Sequence, residues 1–128
     1  MKIVKCNECG AVFEMVVEPK GGQLPEGFHE VKAASTDGAL EKHVPVVEQN
    51  GHKLIVKVGS VPHPMLEEHY ITAVWAEFED GTVEKKTLNP GQEPQVHFCV
   101  KHRSGKVTVY EYCNLHGLWK TEFTISAE

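Results

Sequence analysis

From about residue 44 onward, apolar and polar positions alternate with a period of two, broken at short intervals by turn-forming residues. Residues 53–58 alternate most strictly, with Leu54, Val56 and Val58 on one face. A period of two is that of a strand with one side in a core. Six further short runs, bounded by turn signals, also read as strands, at 44–48, 70–79, 82–88, 95–101, 106–113 and 119–126. Asn50-Gly51, Asp80-Gly81, Asn89-Pro90-Gly91 and Ser104-Gly105 punctuate them, and dipeptides of this kind mark hairpin turns. Seven short strands at regular spacing predict an all-β fold, an antiparallel sandwich. Residues 36–43 read as a polar turn or a single helical turn capped by Thr36 or Asp37.

Residues 1–35 differ from the rest. Cys6-Asn7-Glu8-Cys9-Gly10 has the spacing of a metal-binding knuckle, with a glycine that lets the backbone turn. A short apolar strand is expected at 11–17, followed by a Gly- and Pro-rich stretch over 19–27 that breaks regular structure. The expected organisation is a small segment, 1–35, and a sandwich domain, 36–128. No internal repeat or low-complexity segment is visible.

Composition narrows the classes. The chain has 128 residues, a formal net charge of -5 and 24% charged residues. This suits one ordinary globular core plus a small appendage. A mildly acidic chain without a basic stripe argues against nucleic acid. No run approaches the roughly 20 apolar residues of a membrane span. The start lacks the apolar stretch and small-residue cleavage site of a secretory signal. The cysteines occur in chelating spacings, which points to a reducing, cytoplasmic setting.

The candidate chemistry lies in Cys113-Asn114-Leu115-His116, with His43, His63 and His69. Each is unremarkable alone, since a loop histidine is commonly just solvated. Together they are five ligand-type residues at strand ends or in loops, and a sandwich clusters its loops at its two ends. That is one donor more than a structural zinc requires. Five nitrogen and sulfur donors with one open position suit a reactive transition metal, with iron the leading candidate. A competing scheme closes a structural zinc with Cys6, Cys9, Cys113 and His116. It needs a spacer of about a hundred residues, far longer than a zinc ribbon has, and leaves three histidines unexplained. It would make the protein a zinc-stabilised binding module without redox activity. His29, His52, His97 and His102 are read as structural or solvated. Cys99, in a strand run, is read as a small core residue.

Four segments carry a resemblance: Glu41-Lys42-His43-Val44-Pro45-Val46, Val61-Pro62-His63-Pro64-Met65, Glu68-His69-Tyr70-Ile71 and Cys113-Asn114-Leu115-His116-Gly117-Leu118-Trp119. In order and spacing they resemble the superoxide reductases of the desulfoferrodoxin and neelaredoxin family, over roughly residues 36 to 126. The resemblance implies an immunoglobulin-like seven-stranded β-sandwich. It also implies a mononuclear iron held by His43, His63, His69, His116 and Cys113, and one-electron reduction of superoxide to hydrogen peroxide. Glu41 is expected to cap the oxidised iron. Lys42 is expected to attract the anionic substrate and help deliver a proton. An external donor, by family habit rubredoxin-like, is expected to return the electron. A homo-oligomer, a dimer above all, is expected, and Trp119 and the strand after Tyr70 should pack near the site. One departure stands out: relatives with a second, amino-terminal iron follow Cys-x-x-Cys with a Cys-Cys pair, whereas this chain has Glu26-Gly27-Phe28-His29 in that region. A second metal at Cys6 and Cys9 is therefore not expected. The segment reads as a vestige that still folds, with pooling of cysteine pairs between two chains as the alternative.

Overall fold

The computed structural model describes residues 1–35 and 43–127. The expected turn at 36–43 therefore lies almost wholly outside the described residues, as do Glu41 and Lys42. The chain divides after Lys32 into two compact units. No helix among the described residues is long and apolar enough to cross a membrane.

The first unit is a three-stranded antiparallel sheet in the order β2-β1-β3, built from β1 (Ile3–Cys6), β2 (Val12–Glu14) and β3 (Phe28–Val31). Only the middle of the strand expected at 11–17 is regular. The sequence reading missed the first and third strands, because segments of four residues are too short to show a period. Ile3 and Val4 are buried.

Among the described residues the second unit contains seven strands in two sheets. β4 (Pro45–Asn50), β5 (Lys53–Val58) and β8 (Gln95–Cys99) form one, ordered β4-β5-β8. β6 (Ile71–Phe78), β7 (Val83–Thr87), β9 (Gly105–Cys113) and β10 (Gly117–Ile125) form the other, ordered β10-β9-β6-β7. Every paired neighbour is antiparallel. This is the expected seven-stranded sandwich. The first hairpin differs by one residue from its sequence signal. Asn50 pairs with Lys53, so the turn is Gly51-His52, with Gly51 at φ 61°. A glycine at the first central position is the requirement of a type II′ turn.

Alternation decides the core. Leu54, Val56 and Val58 of β5 meet Val74, Ala76 and Phe78 of β6, and Val107 and Val109 of β9. On β8 the inward residues are Val96 and Phe98, which places His97 and Cys99 outside. Cys99 is thus exposed, contrary to its reading as a core residue. Its apolar neighbours made the strand look continuous, but the side-chain period puts positions 97 and 99 on the opposite face from 96 and 98.

One irregularity matters for the site. Ile71 pairs with Cys113 and Ala73 with Tyr112, so Thr72 is an extra residue, a β-bulge. The bulge resets the alternation of β6. Ile71 and Val74, three positions apart, both face the core and both are fully buried. Thr72 is fastened on both sides: its hydroxyl donates to the Tyr112 carbonyl at 3.2 Å, and its carbonyl accepts from the Leu88 N–H at 3.0 Å. Bulges re-aim side chains beside functional sites; here one seats Ile71 opposite Cys113.

Phe98 lies at the centre of the sandwich with 1% exposure. Phe98→Ala is expected to lower stability by about 3–5 kcal/mol, measured as a shift of the urea midpoint. A change under about 1 kcal/mol would place Phe98 outside the cooperative core.

Candidate metal centre

The strand ends and loops at one end of the sandwich supply five donor side chains. Cys113 is the last residue of β9, and a three-residue loop, Asn114-Leu115-His116, returns the chain to Gly117, which pairs with Cys113. Gly117 has φ 84°, the left-handed residue that such a loop needs. His69 is set by a second tight turn: Leu66 and His69 exchange both backbone hydrogen bonds, at 2.9 and 3.1 Å, around Glu67-Glu68. His43 stands two residues before β4, whose first residue Pro45 pairs with Val58. His63 lies between two prolines, which hold the backbone extended. Its Nδ1 donates to the Pro64 carbonyl at 2.7 Å, and its Nε2 is buried.

The four imidazoles close into a ring. Centroids are 4.8 Å apart for His43–His63, His63–His69 and His43–His116, and 5.1 Å apart for His69–His116. Interplanar angles run from 61° to 84°, so each ring meets its neighbours edge-on. His43 Nε2 and His116 Nδ1 are 3.0 Å apart. Two nitrogens each ~2.1 Å from one metal and at right angles to each other are separated by about 3.0 Å, so this spacing is that of neighbouring ligands. Donor atoms of His43, His63, His69 and Cys113 all lie within 4.8 Å of one another. His116 Nδ1 is 3.8 Å from Cys113 Sγ. The five residues singled out in the sequence therefore meet at one place.

Burial is graded across the cluster. Cys113 is fully buried, and His43 and His63 are 2% and 4% exposed. His69 is half-buried and His116 is exposed. Solvent thus reaches the cluster from the His69 and His116 side. A thiolate and imidazoles held in a low-dielectric floor are costly unless a cation sits among them. Nitrogen and sulfur donors at these spacings fit a borderline transition metal. Beside the site, burial and, secondarily, the charge of Cys113 push the Tyr112 phenol above its ordinary range.

Two residues brace the ligand-type side chains. Trp119, expected near the site, stacks on His43 with centroids 4.8 Å apart and planes at 14°. Its indole N–H donates to the His116 carbonyl at 3.1 Å, so one side chain stacks on one ligand-type ring and pins the backbone of another. Ala34 forms a parallel bridge with it. Asn114 was missed by the sequence reading. Its Oδ1 accepts from the Tyr70 N–H at 2.9 Å, and its Nδ2 donates to the Glu68 carbonyl at 3.1 Å. Its own N–H donates to the Tyr70 carbonyl at 3.2 Å. Asn114 thus ties the Cys113 loop to the His69 turn. Its place inside Cys-x-x-His was the available signal, but nothing in sequence says that residues 68–70 lie beside it.

Comparison with known proteins identifies the family. Residues 35–122 match the family model described as desulfoferrodoxin. The chain is 48% identical over 127 residues to a desulfoferrodoxin homolog of Archaeoglobus fulgidus, covering 94% of this chain and 96% of that one. It is 46% identical over 125 residues to a desulfoferrodoxin of Nitratidesulfovibrio vulgaris, covering 94% and 95%. Among solved structures, the superoxide reductase from Treponema pallidum superposes with a TM-score of 0.74 at 35% identity, covering 94% of this chain and 96% of that chain.

Asn114→Ala removes two of the three bonds that join the loops while leaving all five donor side chains in place. Metal affinity is expected to fall about 10–100-fold, read by competition with a chelator. Unchanged affinity would rule out the clamp.

Proposed function

The chain belongs to the desulfoferrodoxin family, and on that premise we propose that it is a superoxide reductase whose mononuclear iron is held by His43, His63, His69, His116 and Cys113. The observation that carries this reading is the closed ring of four imidazoles over a buried thiol. Iron held by that ring would supply the electron that, with two protons, converts superoxide to hydrogen peroxide. The residues set the conditions for it. Cys113, buried at the floor, places a thiolate charge against the metal and favours its oxidised state. Trp119 and the Pro64 carbonyl hold imidazole planes in place, which limits rearrangement as the metal changes charge. The half-buried His69 and exposed His116 leave a path for a small anion.

Glu41 and Lys42, beside His43 in sequence, complete the reading. In a chain of net charge -5 an anionic substrate needs local positive charge near the metal, and the Lys42 ammonium supplies it. Lys42 also positions the water that passes a proton to the product, and the Glu41 carboxylate caps the oxidised site. The electron is returned by an external rubredoxin-like donor. Support for this is that the first 35 residues hold only the cysteine pair Cys6 and Cys9, short of a four-cysteine iron site. A cytoplasmic, reducing setting follows from the chelating spacing of the cysteines. A homodimer is favoured, because β4, β7 and β8 lie at sheet edges.

Metal analysis of purified protein is expected to give one iron per chain, with a sulfur-to-iron charge-transfer band that appears on oxidation and is absent in Cys113→Ala. Stoichiometric zinc without colour would overturn the reading in favour of a structural zinc module. Lys42→Ala is expected to slow superoxide consumption by at least about tenfold and to flatten its dependence on ionic strength, measured by pulse radiolysis. An unchanged salt dependence would remove the steering role.

A further inference from the structure

The geometry points to a second redox centre: we propose that Cys6 and Cys9 form a dithiol that reduces hydrogen peroxide and closes to an intrachain disulfide. Cys6 ends β1, and residues 7–9 turn at once. The Gly10 N–H donates to the Cys6 carbonyl at 2.9 Å, and Gly10 takes φ 76°. This bond closes a five-residue turn of about one helical pitch, in which Cα atoms three positions apart lie about 5 Å from each other, inside the 4.4–6.8 Å range of a disulfide. The Cys6 sulfur already points toward Cys9, whose N–H donates to it at 3.3 Å.

The two thiols have different parts. Cys6 accepts from the Cys9 amide, and that bond, with Cys9's side chain second, holds its thiol below the ordinary range. The thiolate is the nucleophilic form, so Cys6 is the attacking sulfur. Cys9 is more exposed and stands ready to resolve. Among the described residues the metal-ligating side chains gather around Cys113, and neither Cys6 nor Cys9 belongs to that group. His29, the nearest histidine in the sheet, bonds through Nδ1 to Asn7 Oδ1, and the pairing of Lys5 with His29 and Cys6 with Phe28 places His29 on the opposite face from Cys6. Among the described residues no third and fourth donor of a closed zinc or iron site gathers with the pair, which favours thiol chemistry.

The step balances without an outside oxidant other than peroxide. The Cys6 thiolate attacks one peroxide oxygen; the O–O bond breaks, hydroxide leaves, and Cys6 becomes a sulfenic acid. The Cys9 sulfur then attacks the Cys6 sulfur. The S–O bond breaks, and the departing hydroxide takes the thiol proton as water. Net, two thiols and one peroxide give one disulfide and two waters. A dithiol reductant reopens the bond by exchange. The peroxide can be the product of the iron site, but the centre stands without that reading.

The test uses the full iron-loaded chain, reduced, treated with hydrogen peroxide in the absence of superoxide, then alkylated and mapped by mass spectrometry. Cys99, an exposed thiol on β8, is the internal comparison, and Cys6→Ser gives the background from the iron. Cys6 is expected to react at least about tenfold faster than Cys99 at neutral pH and to appear as the 6–9 disulfide. In Cys9→Ser a dimedone-trappable sulfenic acid should accumulate at Cys6. Superoxide reduction and the iron spectrum should be unchanged in both variants, so failure here and failure of the iron reading are separable. Equal rates at Cys6 and Cys99, direct passage to sulfinic acid in the unsubstituted chain, or metal bound stoichiometrically by Cys6 and Cys9 would each overturn the proposal.

Discussion

The second unit is organised around the burial of one sulfur. Cys113 has no exposed surface, yet it is the end of a strand, where chains normally emerge into water. Two devices keep it inside. The Thr72 bulge turns Ile71 inward opposite it, and Gly117 lets the chain reverse within three residues. A thiol in that position has a low-dielectric floor beneath it and a ring of imidazoles around it. Without a cation the arrangement is electrostatically poor, because buried nitrogen donors crowd together with no charge to balance a thiolate. With one, each donor gains a strong partner. Metal binding and local folding are in that sense a single event at this end of the sandwich.

The same constraint explains why bracing side chains matter as much as donors. His43 and His116 come from opposite ends of the unit's sequence, 73 positions apart. Trp119 touches both, one by stacking and the other through a hydrogen bond. Asn114 does the equivalent for the His69 turn. Neither residue can ligate a metal well, and both decide where ligating residues point. The graded burial, from Cys113 to the exposed His116, gives the centre a dry floor and a wet rim, which suits a small charged substrate that must enter and leave quickly.

Much of this was legible in the chain. Period-two alternation and Gly-containing turns gave all seven strands of the sandwich to within about two residues at most ends. Cys113 and His116 were marked by chelating spacing, whereas His43, His63 and His69 gained weight only in combination with them and through the family resemblance. The errors were of one kind. Cys99 was assigned inward because its neighbours are apolar, although its parity puts it outside. The bulge at Thr72 was invisible, since an inserted residue leaves composition unchanged and only shifts phase. The first and third strands of the small sheet escaped because four residues carry too little periodicity.

Sequence alone determined the donor types, their order, the turn residues between them and the alternation that builds two sheets, because each depends on neighbours a few positions apart. Tertiary structure alone decided which side of the cluster meets water, that Thr72 is an inserted residue, and that Asn114 reaches residues 68 and 70. Those outcomes depend on distances between segments far apart in the chain, and such distances are set only when the two sheets pack and the strand ends come together.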